Sequence, residues 1–303
     1  MKHFSNTLPE IALHKLLEAS IREHTQTTES IARIRQTRGG MYLIEGNNET
    51  LWFVKLKAPE SYPMFMAEAD GLLALSACEA FRIPRMVGFG KNEFFSYIIL
   101  EYLELRPLKS REDNIKAGHA LACLHQNLGR RYGWPTDNFI GETPQHNRWH
   151  NKWHDFFANE RLRPQLQLAG EYALPKAFLS AGEKLMERLP ELIGDHHPKA
   201  SLLHGDLWQG NIAMDPSGNP ALFDPAVYYG DSETDLAMSE LFGGFSSDFY
   251  TAYHAVRPID KAYGLRRKLY QLYHVLNHLN LFGPSYSSQA KGLIESLLAE
   301  CPN

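Results

Sequence analysis

The stretch that decides the fold is Leu203-His204-Gly205-Asp206-Leu207-Trp208-Gln209-Gly210-Asn211, then Ile212-Ala213-Met214, Asp215-Pro216-Ser217-Gly218-Asn219, Ala221-Leu222-Phe223 and Asp224-Pro225. Two short apolar runs flank an Asp-Pro-Ser-Gly-Asn turn, so the middle reads as a hairpin. Asp206 and Asn211 share the loop before it and Asp224 follows it directly. The hairpin therefore returns Asp224 to the side of the other two, and three oxygen donors converge. Phosphoryl transfer from ATP needs a carboxylate near the attacking hydroxyl and hard oxygen ligands that hold Mg²⁺ on the phosphates. Asp206 is the candidate base, and Asn211 and Asp224 are the candidate metal ligands. Any one of these residues alone is commonplace in a turn or cap. The spaced set around a hairpin is not.

The chain before this stretch supplies the complement. Residues 9–24 place Ile11, Leu13, Leu16, Leu17 and Ile21 at helical spacing. Three strands joined by hairpins follow: Ser30 to Thr37, Met41 to Glu45 after Gly39-Gly40, and Leu51 to Leu56 after Gly46-Asn47-Asn48. A helix opens near Pro63 and carries Glu68. Ile83 to Gly88 and the nearly continuous apolar run Phe94 to Tyr102 read as two more strands. Lys55 closes the third strand, so Lys55 and Glu68 form the strand-and-helix pair that fixes an ammonium on the α and β phosphates of ATP. Gly39 and Gly40 stand where backbone amides would cover those phosphates, although no full GxGxxG is present. Glu101-Tyr102-Leu103 begins the crossover, where backbone groups of Glu101 and Leu103 either meet an adenine edge or simply end a strand.

Beyond Leu103 the pattern turns helical, around Asn114 to Leu128, Trp149 to Leu168, Leu174 to Leu192, Glu233 to Phe242, Phe249 to Tyr253, Leu265 to Leu281 and Ala290 to Leu298. The hairpin at 212–223 is the one β interruption expected there. The fold class is α+β. Residues 1–103 form a small β-rich nucleotide-binding lobe with one inserted helix, and residues 104–303 form a larger, mainly helical catalytic and substrate-binding lobe, joined by a short crossover.

Composition narrows the partners. The 303 residues are 44% hydrophobic and 22% charged, with a formal net charge of −4. No excess of Lys and Arg exists to neutralise a row of phosphates, so nucleic acid is not expected. The first thirty residues mix charges among apolar positions, which predicts no signal peptide, and no apolar run is long enough to span a membrane. The three cysteines, Cys78, Cys123 and Cys301, have no zinc or CxxC spacing, which predicts a reducing compartment, the cytoplasm. Monomer and homodimer stay equally open.

The segment Leu203 to Asn211, with Phe223-Asp224-Pro225-Ala226 and Tyr229-Gly230, resembles the fructosamine-3-kinase or ketosamine kinase family, relatives of the aminoglycoside phosphotransferases within the protein-kinase-like fold. The resemblance runs over nearly the whole chain. It includes Leu124-His125, Tyr132-Gly133-Trp134-Pro135-Thr136-Asp137-Asn138-Phe139-Ile140-Gly141, Trp153, Arg161-Leu162, Phe242-Gly243-Gly244-Phe245 and Asn277-His278-Leu279-Asn280-Leu281-Phe282-Gly283. It implies ATP- and Mg²⁺-dependent phosphorylation of the C3 hydroxyl of a ketoamine, free or protein-bound, which leads to deglycation. Carried over, Asp206 is the base, Asn211 and Asp224 hold the metal, and Lys55 and Glu68 position the phosphates. Trp208 either stacks on the substrate or wedges the loop from inside, and His278 is a second substrate-side candidate. Met41 stands where family members often carry a small residue or cysteine, so thiol regulation at that turn does not transfer.

Competing patterns exist. His146, His150 and His154 recur at four-residue intervals, as do His274 and His278, the spacing of a histidine metal pair on a helix. No HExxH accompanies them, and alternation with Trp149 and Trp153 favours a packing stripe. Arg130, Arg131, Arg161 and Arg163 read as solvated helix ends. Choline, homoserine or aminoglycoside phosphotransferases share the catalytic string, and a silent nucleotide-binding scaffold is the reading from another class.

Overall fold

The computed structural model describes residues 10–25, 30–172 and 174–301. Helix α1 (Glu10–Thr25) precedes strands β1 (Ile31–Arg38), β2 (Met41–Gly46) and β3 (Leu51–Lys57), helix α2 (Tyr62–Ser76), and strands β4 (Met86–Lys91) and β5 (Ser96–Glu101). The five strands form one antiparallel sheet in the order β1-β2-β3-β5-β4. Alternation along β3 sends Trp52, Val54 and Leu56 into the core under α1, beside Leu17, Ile21, Ile44 and Ile99. Lys55, one position out of phase, stands on the opposite face. Burying α2 through Phe65, Ala69, Leu72 and Leu75 brings Glu68 to that face. The fourth strand begins at Met86 rather than Ile83, because Pro84 has no N–H to give to a ladder.

Helix α3 (Arg111–Leu124) opens the C-terminal region with a capping box, Ser110 accepting from the Asp113 N–H at 3.0 Å. There follow β6 (Asn138–Ile140), β7 (Thr143–Gln145), α4 (Trp153–Phe156), a wide helical turn over Phe157–Leu162, and α5 (Arg163–Ala169). Next come α6 (Lys176–Glu187), α7 (Leu189–Ile193), β8 (Ser201–Leu203), β9 (Ile212–Met214), β10 (Pro220–Leu222) and β11 (Tyr228–Gly230). The chain ends with α8 (Glu233–Leu241), α9 (Ser247–Val256), α10 (Tyr263–Phe282) and α11 (Ser287–Ala299). The expected hairpin is β9–β10. Two further pairs, β6–β7 and β8–β11, accompany it among the described residues, against the single β interruption expected. Strands of three residues carry too little periodicity to announce themselves.

The helix expected from Trp149 begins at Trp153, so His146 and His150 precede it and the first histidine stripe does not exist. His146 pairs with Asp137 at 2.8 Å and His150 with Glu160 at 2.9 Å. Among the described residues the one cluster of three potential metal ligands is His196, Glu233 and Asp260, and it includes none of the stripe histidines. Arg266 holds both of its carboxylates, Glu233 at 2.6 and 2.7 Å and Asp260 at 2.9 Å, which makes it an ion-pair network. Nε2 of His196 meets Asp231 at 2.7 Å.

Burial works against the charged form of His196, but the hydrogen bond to Asp231 and the charges of Asp231 and Glu233 outweigh it, and its pKa rises above 6.5. A raised histidine pKa adds stability that is fully present below about 6.5 and fades as the pH climbs through the higher folded value. Urea unfolding between pH 6 and pH 9 should therefore show stability falling with pH, and His196→Gln should flatten that slope. Equal slopes in both proteins would reject the assignment.

Arg161 departs most from expectation. It is not a solvated helix end but fully buried, with 0% of its surface exposed. Its guanidinium donates to the carbonyl of His146 at 2.6 Å and to Oδ1 of Asn147 at 2.7 Å, and lies 3.9 Å over the Tyr228 ring and 4.5 Å over Phe156. Arg163, Arg130 and Arg131 are exposed as expected.

Candidate active site

The loop between β8 and β9 carries Asp206 and Asn211. Gly205 takes φ +83°, and a Cβ there would stand 2.0 Å from the carbonyl oxygen of Ala226, so only glycine lets this loop close on the chain beyond Asp224. The N–H of Ala226 donates to the His204 carbonyl at 2.8 Å. The His204 ring crosses the same gap: Nδ1 accepts from the Asp206 N–H at 3.2 Å, which leaves Nε2 as donor to the Phe223 carbonyl at 2.9 Å. Burial lowers the His204 pKa, in keeping with that neutral tautomer.

The Asn211 amide donates to the Asp206 carbonyl at 2.8 Å and to its Oδ2 at 3.1 Å. That use of its nitrogen leaves the side-chain oxygen Oδ1 of Asn211 for another partner. Burial pushes the Asp206 carboxyl up to about 7, Asn211 opposes this, and the neighbouring charges of Asp224 and Asp235 add to it. Asp224 holds φ +57°, the left-handed region unusual for a side-chain-bearing residue, at the turn out of β10.

Lys55 bridges the two halves of the chain. Its Nζ donates to Oε1 of Glu68 at 2.6 Å and to Oδ1 of Asp224. Burial lowers the Lys55 pKa but the two carboxylates more than compensate, so it stays protonated. Gly40, at φ +73°, gives its carbonyl to the Leu56 N–H at 2.7 Å, and a Cβ there would meet the Leu56 oxygen at 2.6 Å. With Met41 opposite Lys55 in the ladder, the Gly39-Gly40 turn stands beside the lysine. Glu101 lies further along: Ile98 pairs with Lys55 and Glu101 with Trp52, three positions or about 10 Å away. The Glu101 N–H already donates to the Arg85 carbonyl at 2.9 Å, and its carboxylate accepts from the Arg85 N–H at 2.6 Å and from Arg82 at 2.9 Å. That side chain braces the strand end, and the expected adenine contact narrows to the Glu101 carbonyl and the Leu103 backbone.

A cavity of about 260 Å³ opens beside Asp206, walled by Trp208, Phe242, His278, Leu281 and Ile140. Trp208 is 39% exposed, which removes the buried-wedge alternative. Its ring meets Phe242 edge-on at 6.4 Å. Nδ1 of His278 bonds the His274 carbonyl at 2.8 Å and burial lowers its pKa, so a neutral ring presents Nε2 as an acceptor.

Asp235, at the start of α8, escaped the sequence reading. It accepts from the backbone N–H groups of His204 at 2.8 Å and Gly205 at 2.9 Å, fixing the loop that carries Asp206. His125 supports it at 3.2 Å and in turn meets the Tyr253 hydroxyl at 2.8 Å. In the sequence His125 stands out only within Leu124-His125, one of the strings that carry the family resemblance. Its partners lie more than a hundred residues away, and no local pattern links them.

The fructosamine kinase family pattern matches residues 13–300. A probable ketoamine kinase of Synechocystis is 42% identical over 288 residues, covering 90% of this chain and 94% of the relative. The chloroplastic protein-ribulosamine 3-kinase of Arabidopsis thaliana is 36% identical over 307 residues, covering 98% and 93%. Among solved structures, a Haemophilus somnus protein assigned as a fructosamine-3-kinase superposes with a TM-score of 0.85 at 29% identity, covering 93% of this chain and 96% of that one. The choline kinase of Streptococcus pneumoniae, 15% identical, shares the fold with a TM-score of 0.64 over 95% and 99%.

Proposed function

This chain belongs to the fructosamine kinase family of ATP-dependent phosphotransferases, and on that premise we propose that it phosphorylates the C3 hydroxyl of ketoamines, fructosamines and ribulosamines, and so initiates deglycation. The phosphate added at C3 becomes a leaving group whose departure lets the sugar fragment separate from the amine. One observation carries this reading: Asp206 lines the aromatic cavity on one side and is bonded on the other to Asn211, next to the Lys55–Asp224 pair. A hydroxyl in the cavity and a phosphate on Lys55 would meet at that carboxylate.

In the proposed reaction the acceptor hydroxyl donates its proton to Asp206 as its oxygen bonds the γ-phosphorus. The electrons of the broken phosphoanhydride bond leave with ADP. Lys55, oriented by Glu68, neutralises the phosphates, the amides of the Gly39-Gly40 turn cover them, and the Glu101 carbonyl with the Leu103 backbone meets the adenine. The neutral His278 ring accepts from a sugar hydroxyl, and Trp208 and Phe242 face the substrate ammonium. Asn211 and Asp224 offer hard oxygen donors, the set that suits Mg²⁺. Bound there, the metal would neutralise charge on the transferring phosphoryl group. We read residues 1–103 and 104–303 as the two lobes. A reducing compartment fits the three free thiols, and the plant relative's name places that protein in the chloroplast.

The aromatic pair Trp208 and Phe242 also suits a quaternary ammonium, which makes choline the second reading. A polycationic aminoglycoside fits less well, since Asp206 is the one carboxylate lining the cavity. ADP release should be measured with ribulose-, erythrulose- and fructose-lysine, choline and an aminoglycoside as acceptors, and turnover is expected with the ketoamines. Turnover confined to the last two would reject the ketoamine reading. Mg-ATP at one hundred times its Kd should stabilise the fold by about 2.7 kcal/mol. If ATP with chelator does the same, the magnesium assignment fails.

A further inference from the structure

We propose that the segment from Tyr132 to Gln145 is a strap that sets the position of Glu68, with Asp70 and Trp134 as its positioning residues. The inference rests on the assignment of Lys55 and Glu68 as the phosphate-holding pair, and not on which acceptor is used. Asp70 lies two residues beyond Glu68 on α2, about 200° around the helix. While Glu68 faces Lys55, Oδ2 of Asp70 accepts from the Trp134 indole N–H at 2.6 Å. Apolar packing of α2 fixes its depth but tolerates rotation about its axis. A hydrogen bond on the far side fixes the rotation, and with it the direction of Glu68.

Trp134 is itself held firmly. Its ring packs against Tyr229 at 5.4 Å, its backbone N–H donates to the Asn147 carbonyl at 3.0 Å, and Gly133 and Tyr229 exchange backbone hydrogen bonds at 3.0 and 2.9 Å. The same segment grips the chain just past Asp224. Asn138 donates to the Val227 carbonyl at 2.7 Å and Gln145 to the Ala226 carbonyl at 3.1 Å. At its tip, Glu142 pairs with Lys57 of β3 at 2.7 Å. Gly71 of α2 rests against Pro225, where a Cβ would stand 3.0 Å from Cγ. Each of the three segments that meet at Lys55, namely β3, α2 and the chain at Asp224, is therefore tied to one strap. The Tyr132 to Gly141 block, one of the strings that carry the family resemblance, also lines the acceptor cavity through Ile140 and Gly141.

The test is a double-mutant cycle on turnover at saturating ATP, using the panel acceptor that reacts fastest. Asp70→Ala and Trp134→Phe should each lower kcat by about tenfold, the scale of a misplaced catalytic group, with acceptor KM within about twofold. Asp70→Asn keeps a carbonyl acceptor for the indole and should recover most of that loss. Because Asp70 acts through Glu68, Glu68→Ala/Asp70→Ala should be no slower than Glu68→Ala alone. Additive losses in the cycle, or unchanged kcat in Asp70→Ala, overturn the inference while leaving Glu68 in its role. Undiminished turnover in Glu68→Ala overturns both. Asp70 is exposed, so Asp70→Asn and Asp70→Ala should fold, and unchanged thermal midpoints would assign their losses to positioning.

Discussion

Asp206→Asn is expected to lower turnover by about 10²–10⁴, the contribution of a positioned base, while nucleotide binding survives. The substitution keeps the size of the side chain and its place beside Asn211, and removes only the capacity to take a proton. It should not weaken the fold. A carboxyl whose pKa is raised to about 7 by burial carries a folding penalty when ionised at pH 8, and that penalty vanishes with the charge. The thermal midpoint without ligands should therefore hold or rise as activity collapses. Single-turnover kinetics, Mg-ATP titration and a thermal melt on the same preparation separate the outcomes. Loss of nucleotide affinity and of stability in proportion to the lost turnover would remove Asp206 from the role of base.

Arg161→Ala should be strongly destabilising, by about 3–5 kcal/mol, because it opens a large cavity beside two aromatic rings and strips buried oxygen acceptors of their donor. A chain of this size would lose about 10 °C in its thermal midpoint. The guanidinium satisfies the His146 carbonyl and the Asn147 amide and stacks on Tyr228 and Phe156. Without it, Asn147 loses the anchor that orients it toward Asn138, and Asn138 holds Val227 beyond Asp224. Arg161→Lys keeps the charge but not the two-pronged donor or the flat stacking face, and should recover little. A midpoint change under about 2 °C for Arg161→Ala would sink this account.

Much of the site was legible because its pieces are local. Asp206 and Asn211 are five residues apart, and the Asp215 to Asn219 turn dictates the return of Asp224. Lys55 and Glu68 are separated by a strand end, a short turn and the first two turns of α2. Gly40 and Gly205 mark two places beside these residues where backbone approaches backbone too closely for a side chain. The errors have a common origin. Arg161 looked like surface because guanidinium groups usually are, and nothing nearby in sequence announced the aromatic rings of Tyr228 and Tyr273 that enclose it. The histidine stripe failed because its period was read over a segment that becomes helical only at Trp153.

By itself the sequence determined the α+β division, the family and which candidate residues share one loop or one hairpin, since these follow from periodicity and from short spacings that the chain cannot rearrange. Tertiary structure alone decided how those groups are held: Asp235 and His125 beneath the catalytic loop, Arg161 at the base of the strap, and Trp134 across from Asp70. Each of these contacts joins residues between 14 and 110 positions apart. A hydrogen bond at that range exists only after the apolar cores have brought its ends together, because packing, not local conformation, chooses the partner.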